Sequence, residues 1–92
     1  MANKAVHLIA RGMVQGVGFR FFVRGQAGSR GLKGWVKNLP DGTVEILAEG
    51  GEEQLDDFIN RVRQGPTFGH VSGLTVEWVE PSGLYTNFNI SF

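Results

Sequence analysis

The order in which strand-like and helix-like patterns follow one another constrains the fold of this chain most. Alternating apolar and polar residues predict strands, and apolar residues three and four positions apart predict helices. The predicted strands are residues 4–11, 34–39, 43–49, 74–80 and 85–92, and the predicted helices are residues 19–30 and 52–64. Pro40-Asp41-Gly42 separates two of the strands and predicts a hairpin. Gly31 and Gly65 predict the ends of the two helices.

This order of segments is β-α-β-β-α-β, followed by a short extra C-terminal strand. It predicts an α+β fold of the ferredoxin-like kind, a sandwich in which an antiparallel sheet carries two helices on one face. The length of 92 residues fits one domain, so residues 1–92 are interpreted as a single domain. The helix side chains expected in the core are Phe22, Val23, Leu55, Phe58, Ile59 and Val62. The two tryptophans, Trp35 and Trp78, are interpreted as packing residues.

Two glycines, Gly25 and Gly28, lie inside the first predicted helix. Each is expected to cost about 1 kcal/mol relative to alanine in a helix interior. Two interpretations are open at this point: the glycines allow the helix to pack closely on the sheet, or the helix is only weakly stable.

The charged residues are unevenly distributed, although the formal net charge is zero. Residues 1–40 contain seven Lys and Arg and no acid, whereas residues 41–92 contain all nine acids and two Arg. The basic half is explained either by an anionic ligand or by attraction between the two halves of the chain. A neutral total argues against bulk nucleic-acid binding. RNA-recognition modules share this order of segments, but the third predicted strand of this chain lacks their aromatic and basic residues.

The chain contains no cysteine and two histidines. These counts exclude a disulfide framework and thiolate chemistry, and they argue strongly against a structural zinc site. His7 and His70 are far apart in sequence and are interpreted as surface or half-buried residues. No segment reaches membrane-spanning length, and the N-terminal residues lack the apolar block of a signal peptide, so we expect a cytoplasmic protein. No stripe of residues indicates an interface, so we expect a monomer.

The stretch Gly12-Met13-Val14-Gln15-Gly16-Val17-Gly18-Phe19-Arg20 joins the first strand to the first helix. Glycines let backbone amides turn toward a ligand, the start of a helix adds partial positive charge, and Arg20 adds a forked cation. This arrangement predicts a cup for one phosphate-like anion. It does not match a Walker loop, which needs Lys and Ser or Thr after its last glycine, or a dinucleotide-binding loop, which needs a third glycine.

A second candidate stretch, Gly34-Trp35-Val36-Lys37-Asn38, precedes the hairpin turn. From residue type alone, Asn38 is interpreted as a turn residue whose side chain hydrogen-bonds nearby backbone. From residue type alone, Arg20 is likewise interpreted as a solvated side chain in the first turn of a helix.

Together, residues 12–20 and 34–38, the latter followed by Asp41-Gly42-Thr43-Val44-Glu45, resemble the two signature stretches of the acylphosphatase family. Length, segment order and motif spacing agree with that family over essentially the whole chain. The resemblance implies hydrolysis of a small-molecule acyl phosphate to a carboxylate and inorganic phosphate. It assigns phosphoryl binding to Arg20 and the attacking water to Asn38. The loop amides expected to complete the phosphate cradle are those of Gln15, Gly16, Val17, Gly18 and Phe19.

The physical chemistry of phosphoryl transfer is consistent with these assignments. The transition state carries charge on three equatorial oxygens, which amides and a guanidinium stabilise without a metal or cofactor. The carboxylate is a good leaving group, so no strong general acid is needed. One departure from the family concerns Leu39, because some members carry a small polar residue there. A non-catalytic anion-binding module is the alternative function.

Overall fold

Five strands and two helices follow one another in the predicted order in the computed structural model, which describes residues 3–92. The elements are β1 Lys4–Met13, α1 Phe19–Ser29, β2 Lys33–Asn38, β3 Val44–Gly50, α2 Glu52–Gln64, β4 His70–Val79 and β5 Phe88–Ile90. The bounds of both helices and of the central hairpin strands agree with the predictions to within one residue at each end. No helix in this described part of the chain is long and apolar enough to cross a membrane.

The five strands form one sheet in the order β4-β1-β3-β2-β5. The pairs β1–β3, β1–β4 and β2–β3 are antiparallel, which confirms the predicted antiparallel sheet for the first four strands. The fifth strand instead joins β2 in parallel and makes the whole sheet mixed. This direction follows from the topology, because β4 ends at the end of the sheet where β2 begins. A segment that crosses along that end enters β5 running the same way as β2.

The strands β1 and β4 are both longer than predicted, because they continue past an irregularity in their pairing. Arg11 pairs with Gly73, but the next pair joins Gly12 to Val71. Gly12 has φ +120°, and a Cβ at this position would collide with the carbonyl oxygen of His70. Gly12 therefore belongs to the strand, and the glycine-rich loop begins after Met13 instead of at residue 12.

The last strand, Phe88–Ile90, is shorter than the predicted strand over residues 85–92. Side-chain contacts hold the segment that leads into it. The buried carboxylate of Glu49 accepts hydrogen bonds from the amide and hydroxyl of Ser82, at 2.7 and 2.9 Å, and from the amide of Gly83, at 3.1 Å. The indole of Trp35 donates to the hydroxyl of Tyr85 at 3.2 Å. Residues 85–87 lie outside the strand, although the carbonyl of Asn87 accepts a hydrogen bond from the amide of Gly34 at 3.0 Å.

The core lies between the helices and one face of the sheet. Five of the six predicted helix residues are buried, and these are Val23, Leu55, Phe58, Ile59 and Val62. Phe22 is half-buried and packs beside Phe19, with ring centroids 6.1 Å apart. The interpretation of the tryptophans as packing residues fits half-buried Trp35 but is wrong for Trp78, which is 46% exposed. Trp78 lies on β4, an edge strand with a neighbour on one side only.

The first helix ends as predicted at Gly31. The amide of Leu32 donates to the carbonyl of Ala27 at 3.0 Å, and the amide of Gly31 donates to that of Gly28 at 3.2 Å. Gly31 has φ +69°, so this is a Schellman ending with glycine in the left-handed position.

The two glycines inside α1 face open space. Gly25 and Gly28 are exposed, and a Cβ at either position would meet no atom within 4 Å. Close packing on the sheet is therefore not their role. We expect Gly25→Ala and Gly28→Ala each to raise the free energy of unfolding by about 0.5–1 kcal/mol, because alanine loses less backbone entropy on folding.

Urea denaturation of both variants measures this effect. Gly31→Ala is the control and should destabilise the protein, since its φ of +69° disfavours a side chain. A loss of stability in both helix variants would contradict the open space around these glycines.

Candidate active site

The sheet topology brings the two candidate stretches to the same end of the sheet. Strand β3 is antiparallel to both β1 and β2, so these two strands run in the same direction. Val44 of β3 pairs with Ala10 on one side and with Asn38 on the other. The glycine-rich loop at residues 14–18 follows the end of β1 and therefore lies at the end of the sheet where β2 reaches Asn38.

The loop between β1 and α1 is fixed by buried apolar residues and by glycine conformations. Val14 and Phe19, which lie at its two ends, are both buried. Gly16 and Gly18 have φ +75° and +76°, in the left-handed region that residues with a Cβ rarely adopt. Gly18 precedes α1 in the N-cap position and forms no side-chain cap.

The backbone amides of this loop are free donors. From Gln15 to Arg20, no amide donates to an acceptor within the described residues, and the first helical hydrogen bond runs from Phe22 to the carbonyl of Gly18 at 3.0 Å. The first amides of a helix lack internal partners and carry partial positive charge. The predicted cradle residues, Gln15, Gly16, Val17, Gly18 and Phe19, all lie in this stretch. Their amides are available to bind a small anion.

Arg20 is the second residue of α1 and is half-buried. In the part of the chain that the structure describes, no carboxylate lies within 4.0 Å of its guanidinium. Its Cζ lies 5.1 Å from the centroid of the Phe92 ring. A cation without a carboxylate partner at the positive end of a helix dipole is electrostatically unfavourable in the free protein. A bound anion would relieve that repulsion.

Asn38 is not the turn residue that its type alone suggests. It is the last residue of β2, in register with buried Val44, so its side chain points to the helix-covered face. Its Oδ1 is buried and has no hydrogen-bond partner among the described residues. Asp41 stabilises the turn instead, since its carboxylate accepts from the hydroxyl and amide of Thr43 at 2.6 and 3.0 Å. The hydroxyl hydrogen bond is the main reason that the pKa of Asp41 lies below its ordinary value.

The side chain of Gln15 joins the loop to the hairpin. Its Nε2 donates to the carbonyl oxygen of Leu39 at 2.9 Å and to that of Thr43 at 2.8 Å. The sequence predicts only a backbone role for Gln15, and its residue type does not reveal this side-chain contact. Leu39 stands where some family members carry a small polar residue, but this difference does not disturb the contact. Gln15 uses the main-chain carbonyl, which is present in every residue.

Ion pairs connect the basic half of the chain to the acidic half. The pairs are Lys4–Glu52 at 3.3 Å, Arg30–Asp57 at 3.3 Å, Lys37–Glu45 at 3.6 Å and, when the histidine is protonated, His7–Glu45 at 2.7 Å. Attraction between the two halves of the chain therefore explains part of the uneven charge distribution. It does not account for Arg20, which has no such partner in the described chain.

The two histidines lie where the sequence analysis placed them. His7 is half-buried on the uncovered face of the sheet, and His70 is exposed at the start of β4. Within residues 3–92, no three side chains of His, Cys, Asp or Glu lie close enough together to hold a metal ion.

Comparisons with known proteins identify the family to which this chain belongs. The sequence model of the family described as Acylphosphatase matches residues 6–90. An acylphosphatase of Bacillus velezensis is 51% identical over 86 residues, covering 94% of this chain and 96% of that protein. An acylphosphatase of Chlorobaculum tepidum is 44% identical over 90 residues, covering 98% of each chain.

Solved structures show the same similarity. The crystal structure of acylphosphatase from Bacillus subtilis superposes with a TM-score of 0.93 at 43% identity, covering 97% of this chain and 99% of that one. Full-length HypF in its phosphate- and nucleotide-bound form gives a TM-score of 0.88 at 31% identity, over 99% of this chain but only 12% of HypF. The chain therefore belongs to the acylphosphatase family.

Proposed function

We propose that this chain hydrolyses acyl phosphates to a carboxylate and inorganic phosphate, with Arg20, the loop amides and Asn38 as the site. Family membership supports the reaction class. The observation that supports the location best is the run of free amides from Gln15 onward, with Arg20 in the first turn of the helix that follows.

In this proposal, the phosphoryl group binds in front of the loop between β1 and α1. The amides of Gln15 to Phe19 donate to its oxygens, and the Arg20 guanidinium supplies two further donors and a full positive charge. Negative charge spreads over the three equatorial oxygens in the transition state. Donors that are already oriented stabilise this charge without having to reorganise.

Asn38 orients the attacking water. Its buried, unpaired Oδ1 accepts a hydrogen bond from that water. The water oxygen attacks phosphorus, the bond from phosphorus to the acyl oxygen breaks, and its electron pair leaves with the carboxylate. An amide cannot take up a proton at neutral pH, so the water's proton passes to a phosphate oxygen of the substrate.

This mechanism predicts a flat pH dependence near neutrality. Between residues 1 and 40 the chain has no acidic side chain, and neither histidine has a role in the proposed steps. We expect kcat to change less than about twofold between pH 6.5 and 8, measured with an aromatic acyl phosphate. A bell-shaped profile with a midpoint near pH 6.5, the ordinary pKa of histidine, would contradict it.

The reaction itself is tested with a simple aromatic acyl phosphate, whose hydrolysis lowers its ultraviolet absorbance. We expect turnover by the intact chain in the presence of excess chelator. A folded chain that binds phosphate, but produces none above the uncatalysed rate, would instead be the non-catalytic anion-binding module.

We also propose that residues 1–92 act as one domain, as a monomer in the cytoplasm, with the acyl phosphate as their partner and without nucleic acid or a membrane. Light scattering coupled to size exclusion should then give a mass near 10.1 kDa. A mass of twice that value would contradict the monomer.

A further inference from the structure

The two parts of the proposed site belong to separate segments of the chain. The free amides and Arg20 belong to the loop and the start of α1, whereas Asn38 belongs to the end of β2. Hydrolysis requires a bound phosphoryl group and an ordered water at a fixed separation, because small errors in the position of reacting groups cost about 100-fold in rate. Some interaction must therefore set the distance between the loop and the hairpin.

The Gln15 side chain makes the contact that fits this requirement. Its amide group has two N–H donors, and these reach both sides of the hairpin turn. The acceptors are the carbonyl of Leu39, which follows β2, and the carbonyl of Thr43, which precedes β3. Leu39 directly follows Asn38. Within the described residues, no backbone hydrogen bond joins residues 14–18 to residues 38–44.

The hairpin does not depend on Gln15 for its own hydrogen bonds. The carbonyl of Thr43 already accepts the amide of Leu39 at 2.9 Å, and the carbonyl of Leu39 accepts the amide of Gly42 at 3.1 Å. Gln15 uses the second lone pair of each oxygen. Its hydrogen bonds therefore attach the loop to an already closed hairpin.

We propose that the Gln15 side chain is a positioning residue for hydrolysis, which sets the separation between the phosphoryl group in the loop and the water held by Asn38. This inference rests on the proposed function. It assigns to the Gln15 side chain a role distinct from that of its backbone amide, which remains a phosphate donor.

Gln15→Met tests the inference, since methionine has a similar length and lacks both donors. We expect kcat to fall by about 10- to 100-fold, while the Kd for inorganic phosphate changes less than about threefold. Phosphate binding is retained because the amides and Arg20 are still present. The matched control is Gln26→Met on α1, whose side-chain oxygen accepts from Arg30 at 2.8 Å. This control should keep kcat within twofold of the intact chain.

A double-mutant cycle separates positioning from a general loss of stability. In the Asn38→Ala background no water is held, so Gln15→Met should lower kcat by less than about threefold. Thermal denaturation of each variant shows that the rates refer to folded protein. Gln15→Ala serves as a second variant if methionine does not fit at this position.

The outcomes distinguish this inference from the function on which it rests. If the intact chain turns over and the kcat losses of Gln15→Met and Asn38→Ala multiply in the double variant, the positioning role is overturned and the proposed function is not. An unchanged kcat in folded Gln15→Met does the same. No turnover by the intact, folded chain overturns the proposed function and this inference with it.

Discussion

Replacing Arg20 with alanine is expected to lower kcat/KM for an aromatic acyl phosphate by at least about 10³-fold, the scale on which a transition-state arginine contributes to phosphoryl transfer. The guanidinium has no carboxylate partner within 4.0 Å among the described residues, so its charge is not already neutralised by the protein. Arg20→Lys should recover only a small part of the loss, because an ammonium lacks the planar fork that contacts two phosphoryl oxygens.

Arg24→Ala is a closely matched control. Arg24 lies one turn further along α1 and, like Arg20, stacks on a phenylalanine, with its Cζ 5.2 Å from the Phe21 ring centroid. It is exposed, and we expect its removal to change kcat/KM less than about threefold. Similar losses in the two variants would contradict a specific role for Arg20.

The stability of the Arg20 variant should move in the opposite direction from its activity. A cation near the N-terminus of a helix is unfavourable, and alanine is a better helix former, so free Arg20→Ala should be at least as stable as the intact chain. Inorganic phosphate should raise the Tm of the intact chain and have little effect on the variant. A stabilised variant without activity would show that Arg20 is present for ligand binding.

Replacing Asn38 with alanine is expected to lower kcat by about 10²- to 10³-fold and to leave phosphate binding within about threefold. In the proposed mechanism the Asn38 side chain holds the water and not the phosphoryl group, so its loss should affect the chemical step more than phosphate binding. Asn89→Ala, a change at the exposed residue of β5 beside β2, is the control and should be neutral. A loss that appears mainly as weaker phosphate binding would mean that Asn38 belongs to the anion cradle.

Asn38→Leu separates the role of Asn38 in catalysis from its role in folding. The buried Oδ1 is unpaired within the described residues, and burying an unsatisfied polar atom costs about 1–3 kcal/mol. Leucine has a similar shape and no polar atom. We expect Asn38→Leu to be inactive and no less stable than the intact chain, by urea denaturation. A marked loss of stability would mean that Asn38 has a structural partner.

Much of the fold could be predicted because local patterns and tertiary structure agree in this chain. The Asp-Gly hairpin, the apolar stripe of α2 and the glycine ending of α1 are each set by neighbouring residues, and each appears as predicted. The errors concern features that are set at long range. The start of β4 at His70 depends on pairing with Met13, and the limits of β5 depend on pairing with residues 34–36 of β2.

The site likewise combines local features, which the sequence indicates, with long-range contacts, which it does not. The sequence indicates where glycines free the loop amides, because left-handed conformations are a local property of Gly16 and Gly18. It could not indicate that the Gln15 side chain contacts two main-chain carbonyls 24 and 28 residues away. A carbonyl acceptor is present in every residue, so no residue type marks such a contact. Residue type alone also misplaced Asn38, whose direction is set by the alternation along β2.

Isotope labelling tests the central claim, that Asn38 and the loop direct water onto phosphorus. The intact chain would hydrolyse an aromatic acyl phosphate in water enriched in ¹⁸O, and mass spectrometry would locate the label in the two products. Attack at phosphorus places the heavy oxygen in inorganic phosphate, and this is the result we expect. Label in the carboxylate would show attack at the carbonyl carbon and would contradict the roles of Asn38 and the loop amides.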